Sequence, residues 1–214
     1  MDRETITDTS PISFFRRPRN GINVDISFRC PLECMRCQRQ TNFTFHGRKV
    51  YGKDATMDEV KKLAAHFTQL NFCGQLSDPV HHPKFVEILD YLYKKGIQVT
   101  IHNASSQKPM TWYIKAFQAH PKAKWIFAID GLPEESNMYR INQDGEKLFR
   151  VMKKCVSITK SKPLWQYIVF KYNENDIETC KQMARDIGVD FYVVKSSRWN
   201  GKDDPLMPSE KWRL

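Results

Sequence analysis

The spacing of apolar residues along this chain switches repeatedly between two periods, which predicts six strands joined by helices. Apolar residues that alternate or run together over short stretches predict strands at 23–28, 70–73, 97–101, 125–129, 164–170 and 191–194. Apolar residues three and four positions apart predict five helices, at 56–67, 83–96, 112–119, 146–160 and 175–188. Several strands are apolar on both faces, which is typical of a parallel sheet covered by helices.

Local signals mark where some of the helices begin. Thr56 with Glu59 forms a capping box at the first helix, and Asn175 with Glu178 can cap the fifth. The stretch 38–55, between the first strand and the first helix, has no comparable pattern. We therefore predict a long loop there, of a length that in compact domains often forms a lid.

Six consecutive strand–helix units predict an α/β fold with one of two architectures. Right-handed crossovers produce either an open doubly wound sheet or three-quarters of a TIM-type barrel. Both architectures place an active site at the carboxyl ends of the strands. The polar and charged residues at these strand exits, which are candidate site residues, are Asp78, Asn103, Ser105, Asp130, Lys171 and Lys195.

Three cysteines, Cys30, Cys34 and Cys37, follow the first predicted strand. Three thiolates can hold three corners of a [4Fe–4S] cluster and leave the fourth iron without a protein ligand. Zinc also binds thiolates, and Cys73 or His46 could then supply a fourth ligand. The spacing alone therefore leaves an iron–sulfur cluster and a zinc site open.

Composition narrows the class of protein. The chain has 214 residues, of which 41% are hydrophobic, enough for one sizeable core. No apolar run is long enough to span a bilayer, and residues 1–20 lack the apolar core of a secretory signal, so we expect a cytoplasmic protein without membrane association. We expect a flexible basic arm at 1–20, the catalytic domain at 21–198 and a tail at 199–214.

The formal net charge is +10, from 34 Lys and Arg against 24 Asp and Glu. This excess permits an anionic partner such as RNA, an acidic peptide or a phosphorylated small molecule. The charges are spread among the predicted helices, so a solvated basic surface explains them equally well.

The cysteine triplet, with this spacing after the first of six strands, resembles the signature of the radical S-adenosylmethionine family. The resemblance implies a six-stranded partial barrel, a [4Fe–4S] cluster on the three cysteines, and S-adenosylmethionine on the fourth iron. It implies reductive cleavage of that cofactor to a 5′-deoxyadenosyl radical, which abstracts hydrogen from a substrate. An external one-electron reductant of the flavodoxin or ferredoxin type is also implied.

Further segments match the family's pattern in part. Leu76-Ser77-Asp78-Pro79 stands where the family has Gly-Gly-Glu-Pro, which implies that Asp78 accepts from the methionine amino group. Ala128-Ile129-Asp130-Gly131 is similar to the Ser-Ile-Asp-Gly exit of strand four in members that modify peptides. The resemblance implies that Asp130 lies near the ribose or the substrate. The cofactor-binding residues that we expect are Arg36, Asp78, Asn103, Ser105, Asp130, Arg140, Lys171 and Lys195.

Two of these residues have specific expected roles. Arg140 is expected to pair with the methionine carboxylate through its planar guanidinium. Arg36 replaces the aromatic residue that usually precedes the third cysteine, and its guanidinium is expected to stack on adenine. Lys171 and Lys195 are expected near the methionine carboxylate or an anionic substrate, with solvated surface positions as the alternative.

The closest branch by these segments is the peptide-modifying SPASM or twitch type. Its C-terminal cysteine-rich extension has no counterpart here, since no cysteine follows Cys180. We expect a peptide, protein or RNA substrate. Two other hypotheses remain, namely a zinc-clipped basic module that binds nucleic acid, and a catalytically silent cluster-binding scaffold.

Overall fold

The computed structural model describes residues 20–47 and 52–214, which include six parallel strands in one sheet. The strands are β1 (Gly21–Val24), β2 (Gln69–Phe72), β3 (Gln98–Asn103), β4 (Lys124–Ala128), β5 (Leu164–Ile168) and β6 (Asp190–Val194). Their order in the sheet is β1-β2-β3-β4-β5-β6, so it follows the chain without a reversal. A doubly wound sheet reverses its strand order, so this order confirms the partial barrel.

Six α-helices accompany these strands in the described residues. They are α1 (Gln38–His46), α2 (Met57–His66), α3 (Phe85–Lys94), α4 (Met110–Ala119), α5 (Gly145–Val156) and α6 (Ile177–Asp186). Short 3₁₀ helices cover Pro79–His81, Ser136–Met138 and Glu210–Trp212. None of the helices in these described residues is long and apolar enough to cross a bilayer.

The predicted loop at 38–55 is wrong in its first half, because α1 occupies Gln38–His46. Helix α1 is mostly polar, its cap residue Cys37 makes no side-chain capping bond, and no acidic residue stands in its first turn. These are the signals by which sequence identifies a helix start, and all are missing. Gly47, in the left-handed conformation at φ 59°, ends the helix.

The predicted helix starts at Thr56 and Asn175 can be compared with the observed starts of α2 and α6. The capping box is present, since the Thr56 side chain accepts from the Glu59 backbone N–H and Glu59 accepts from Thr56. At α6 the cap residue is Asp176 instead of Asn175, and it makes no side-chain capping bond. A backbone bond from Asp176 N–H to the Asn173 carbonyl sets this turn, which shifts the start by one residue.

The sheet has one face that packs on helices and one that faces a central space, which we call the lumen. On the helix face the strands contribute large apolar side chains to the main core, including Phe72, Trp125 and Trp165. Phe85 of α3 lies 6.2 Å from Phe72 and 6.2 Å from Trp125 between ring centroids. Strands β4 and β5 are largely apolar on both faces, as predicted, whereas β1, β2 and β3 present polar side chains to the lumen.

The segment 199–214 packs at the carboxyl ends of the strands. Leu206 is buried in a second apolar cluster with Leu32, Cys34 and Phe170, and its carbonyl accepts from the Lys171 backbone N–H at 3.1 Å. Beyond β6, an isolated bridge pairs Ser196 with Arg213. This segment therefore lies against the cysteine-bearing end of the barrel.

Candidate active site

A cavity of about 640 Å³ opens at the carboxyl ends of the strands and continues into the lumen. This volume is in the range of small-molecule and cofactor sites, roughly 300–1,000 Å³. The predicted site residues that line it are Cys30, Cys34, Cys37, Asp78, Asn103, Arg140 and Lys195. Those that do not line it are Arg36, Ser105, Asp130 and Lys171.

Residues 30–37, the cysteine loop, are held by a neighbouring segment of backbone. Glu33 N–H donates to the Ile141 carbonyl at 3.1 Å, and Met35 N–H donates to the Tyr139 carbonyl at 3.3 Å. Within the loop, Cys37 N–H donates to the Cys34 carbonyl at 3.0 Å. These bonds hold the loop against the cavity.

The three thiols fit the donor set of a [4Fe–4S] cluster, because all three line the same cavity and Cys34 is buried. Burial raises the pKa of Cys30 to about 12 and also raises the pKa of Cys34. Both are therefore thiols at neutral pH, and a metal must displace their protons on binding. No group of three or more His, Cys, Asp or Glu side chains in the described residues is arranged to hold a single metal ion.

Cys73 and His46 are the two residues that could supply a fourth ligand to a zinc ion. Cys73 lines the cavity beside β2, and its Sγ lies 4.0 Å from an Asp25 carboxylate oxygen. The side chain of His46 lies outside the described residues.

Asp78 is fully buried and connects two strand exits. One carboxylate oxygen accepts from the backbone N–H groups of Ala104 and Ser105 at 2.8 and 2.7 Å, and the other accepts from Val80 at 3.2 Å. Burial raises its pKa to about 6, although these hydrogen bonds favour the carboxylate. Asp78 thus caps the short helix Pro79–His81 and also reaches the cavity.

Asp130 and Arg140 form a buried ion pair, with Asp130 Oδ2 2.7 Å from Arg140 Nε. Asp130 Oδ1 also accepts from the Ile168 N–H at 2.8 Å, which fixes the carboxylate to β5. Burial disfavours a charged Arg140, but the adjacent carboxylate more than offsets this effect and raises its pKa above the usual value. Arg140 lines the cavity and Asp130 does not, so Asp130 positions Arg140.

Asn103 and Ser105 close the turn after β3. Asn103 Oδ1 accepts from the Ser105 N–H at 3.1 Å, and the Tyr113 hydroxyl donates to the Ser105 carbonyl at 2.5 Å. The Ser105 hydroxyl is within 2.7 Å of His81 Nε2. Asn103 remains in the cavity wall, whereas the Ser105 side chain belongs to the loop behind it.

The three remaining basic residues that were predicted to bind the cofactor differ in their surroundings. The Arg36 guanidinium pairs with Asp204 at 2.6 Å and does not line the cavity. Lys195 is exposed at the cavity rim, after β6. Lys171 is exposed outside the cavity.

Sequence reasoning missed Arg39, which lines the cavity from α1. Its Nη1 donates to the carbonyls of Phe28 at 2.5 Å and Leu76 at 3.1 Å, so it connects the exits of β1 and β2. The guanidinium also favours the thiolate form of Cys30. No sequence signal could identify Arg39 once residues 38–55 were interpreted as a loop.

Sequence reasoning also missed the polar lumen. The side chains that line it below the strand exits include Gln69, Asn71, Thr100, His102, Lys124 and Gln166. A signal existed, because these residues stand at alternate positions of strands whose other positions are large and apolar. The alternation marks a face that contacts something other than a hydrophobic core.

The fold matches solved structures of radical S-adenosylmethionine enzymes. Streptococcus suis SuiB bound to S-adenosylmethionine aligns with a TM-score of 0.64 and 12% identity over 88% of this chain and 43% of that one. The same enzyme bound to its precursor peptide SuiA aligns with a TM-score of 0.63 and 14% identity over 81% of this chain and 38% of SuiB. Methylornithine synthase (PylB) aligns with a TM-score of 0.57 and 14% identity over 81% of this chain and 52% of that one.

At these identities the likeness establishes the fold alone. The chain spans about two fifths of the length of SuiB and about half that of methylornithine synthase. No family model matches the sequence, and no curated protein matches it.

Proposed function

We propose that this chain is a radical S-adenosylmethionine enzyme acting on a peptide, protein or RNA substrate. The observation that carries the proposal is the placement of Cys30, Cys34 and Cys37 together on one cavity, at the exit of β1 in a six-stranded partial barrel. A fold of this kind has been solved with S-adenosylmethionine in SuiB.

Three groups of residues would have separate tasks. Cys30, Cys34 and Cys37 would hold a [4Fe–4S] cluster, which supplies the electron that cleaves S-adenosylmethionine to a 5′-deoxyadenosyl radical. Arg140, charged and held by Asp130, would pair with the methionine carboxylate. Asp78 would accept from the methionine amino group with the Oδ1 lone pair that its three backbone partners leave free.

The other predicted residues have lesser tasks in this proposal. Asn103 would contact the cofactor from the cavity wall, and Ser105 would keep the turn after β3 in place. Lys195 would attract anionic groups at the rim. Arg36 would act indirectly, by attaching the cysteine loop to Asp204. Lys171, exposed outside the cavity, would contact only an anionic substrate that extends beyond it.

The proposal also names a cellular compartment and a protein that donates electrons. Six free cysteines without a disulfide and an oxygen-sensitive cluster suit the cytoplasm. A flavodoxin- or ferredoxin-type protein would supply the electron. A peptide or protein substrate has the additional support that SuiB was solved with its precursor peptide.

The test is anaerobic reconstitution with iron and sulfide, followed by reduction in the presence of S-adenosylmethionine. We expect about four irons per chain and release of 5′-deoxyadenosine. Cys30→Ala, Cys34→Ala and Cys37→Ala should each abolish that release, because each removes a cluster ligand. Cys73→Ala is the matched control, since Cys73 lines the same cavity outside the triplet and should keep activity.

Each alternative hypothesis has its own outcome. One tightly held zinc per chain that depends on Cys73 would refute the cluster. Cluster assembly without 5′-deoxyadenosine release would identify a silent scaffold. Strongly salt-dependent RNA or DNA binding that needs no iron would favour the nucleic-acid-binding module.

A further inference from the structure

The segment 199–214 is joined to the cysteine loop by one buried ion pair. Asp204 Oδ2 lies 2.6 Å from Arg36 Nη2, and the Asp204 side chain is only 1% exposed. Arg36 stands between Cys34 and Cys37, so the pair links the turn that carries two of the three thiols to a segment 168 residues further along the chain. A contact at this position can control where those thiols lie.

The Asp204 carboxylate is fixed by its own segment. Oδ2 also accepts from the Asn200 N–H at 2.6 Å, and Oδ1 accepts from the Leu206 N–H at 2.9 Å. Three hydrogen bonds therefore hold a carboxylate that is out of solvent, and two of them come from the backbone. Arg36 has a long side chain with many rotamers, so the rigid partner in this pair is Asp204.

The segment is also anchored independently of Arg36. Leu206 is buried in the apolar cluster that contains Leu32 and Cys34. The Ser209 N–H donates to the Glu174 carboxylate at 2.7 Å. These contacts keep the segment at the strand exits even when the ion pair is broken, and they give the cysteine loop a fixed surface on which to close.

Arg36 is the member of the pair that lies inside the cysteine loop, and its charge has a single partner. Asp204 is its only ion-pair partner among the described residues. The reduction potential of an iron–sulfur cluster depends on the net charge and the solvent exposure around it. An uncompensated guanidinium beside the ligands would favour the more negative, reduced state, whereas the paired carboxylate cancels most of that field.

We propose that Asp204 is a positioning residue for the cysteine loop. It holds Arg36, and with Arg36 the turn from Cys34 to Cys37, and it cancels the Arg36 charge beside the ligands of the iron–sulfur cluster. The proposal rests on the proposed function, because that cluster belongs to the proposed enzyme. It gives the segment 199–214 two tasks, which are to keep the thiols in place and to set the potential at which the iron–sulfur cluster is reduced.

The first measurement needs no cluster. Alkylation of the reduced, metal-free full chain by iodoacetamide, followed by peptide mass spectrometry, gives a reaction rate for each cysteine. Asp204→Asn keeps the shape of the side chain and removes its charge. It should accelerate the alkylation of Cys34 by at least about tenfold, because it weakens a charge-assisted hydrogen bond that holds the loop closed.

Two controls separate a local effect from a general one. Asp203→Asn makes the same change of net charge at the neighbouring residue, which is exposed, and should leave the alkylation rate of Cys34 unchanged. Cys180 is buried on α6, where its Sγ lies 3.5 Å from the Gly131 carbonyl oxygen, and its alkylation reports opening of the whole fold. Its rate should be the same in the wild type and in Asp204→Asn.

The second measurement is the reduction potential of the reconstituted iron–sulfur cluster, followed by spectroscopy during a redox titration. Asp204→Asn should raise the potential, because it leaves the Arg36 charge uncompensated. Arg36→Gln should lower it, because it leaves a buried carboxylate. The double variant, which removes both charges, should return close to the wild-type potential. A contact that only stabilised the fold would shift both single variants in the same direction.

Three results would overturn the proposal. They are an unchanged Cys34 rate in Asp204→Asn, an equal acceleration at Cys180, and single variants whose potentials shift in the same direction. The proposed function has its own readout in the wild type, which is cluster assembly with 5′-deoxyadenosine release. Failure of that readout would refute the enzyme assignment, and the alkylation rates of the metal-free chain would still decide whether Asp204 positions the cysteine loop.

Discussion

Asn71 and Phe72 are neighbours in β2, yet they lie in opposite environments. Phe72 is fully buried between the sheet and the helices, where it packs with Phe85. Asn71 faces the lumen and bonds to Asn23 and Gln69. The helix face of the sheet is a hydrophobic core and the lumen face of β1–β3 is a polar cavity wall, so stability and ligand binding are assigned to alternate residues of the same strands.

The sharpest test of this division is the pair Phe72→Ala and Asn71→Ala. Removing a buried ring from the helix face should lower the free energy of unfolding by about 3–5 kcal/mol. Removing the amide from the lumen wall should cost less than about 1 kcal/mol, since solvent can enter the cavity and replace its hydrogen bonds. Urea denaturation of both variants measures the difference. Equal losses would mean that the lumen face is also a stabilising core.

A smaller effect should appear in the pH dependence of stability. The pKa of His102 is about 4 in the folded chain and about 6.5 in the unfolded chain. The unfolded chain therefore binds more protons between these pH values, and His102 makes stability fall as pH falls from about 6.5 to about 4. The contribution is at most about 3 kcal/mol.

The matched comparison is between the wild type and His102→Asn over the same pH range. Asp78 acts in the opposite direction, because burial raises its pKa to about 6, but it is present in both proteins and cancels. Denaturant titrations at pH 7, 6, 5 and 4 should show the stability of the wild type, relative to the variant, decreasing with pH. A constant difference would show that His102 is solvated in the lumen.

The smallest effect on folding is expected for Thr100→Val, which keeps the shape of the side chain and removes its hydroxyl. The Thr100 hydroxyl has no hydrogen-bond partner in the described residues, so stability should change by no more than about 0.5 kcal/mol. Destabilisation by more than about 1 kcal/mol would instead give Thr100 a structural role.

Much of the fold could be predicted from sequence, because the strand positions and the direction of winding depend on local patterns. All six strands were located to within a few residues, and the partial barrel is confirmed. Helix α1 was missed because it has neither an apolar face nor a capping bond. It begins directly after Cys37, so the error concealed Arg39, which holds the cysteine loop to two strand exits.

The site was predictable only in part, for a different physical reason. The strand exits gave Asp78, Asn103 and Lys195, since the carboxyl ends of parallel strands converge. Sequence does not reveal which charged side chains pair in the fold, such as Arg36 with the distant Asp204 or Arg140 with Asp130 ten residues before it. Those pairs decide which charged residues remain available to a ligand.

The open side of the sheet, between β1 and β6, has a consequence for self-association. An unclosed sheet leaves two edge strands whose backbone groups can pair with another chain. Strand β1 has only four residues, after which the Ile26 carbonyl accepts from the Ala55 N–H at 2.8 Å. At the other edge, the chain continues beyond β6 into an isolated bridge between Ser196 and Arg213. Edge strands of four and five residues give intermolecular strand pairing little length to extend.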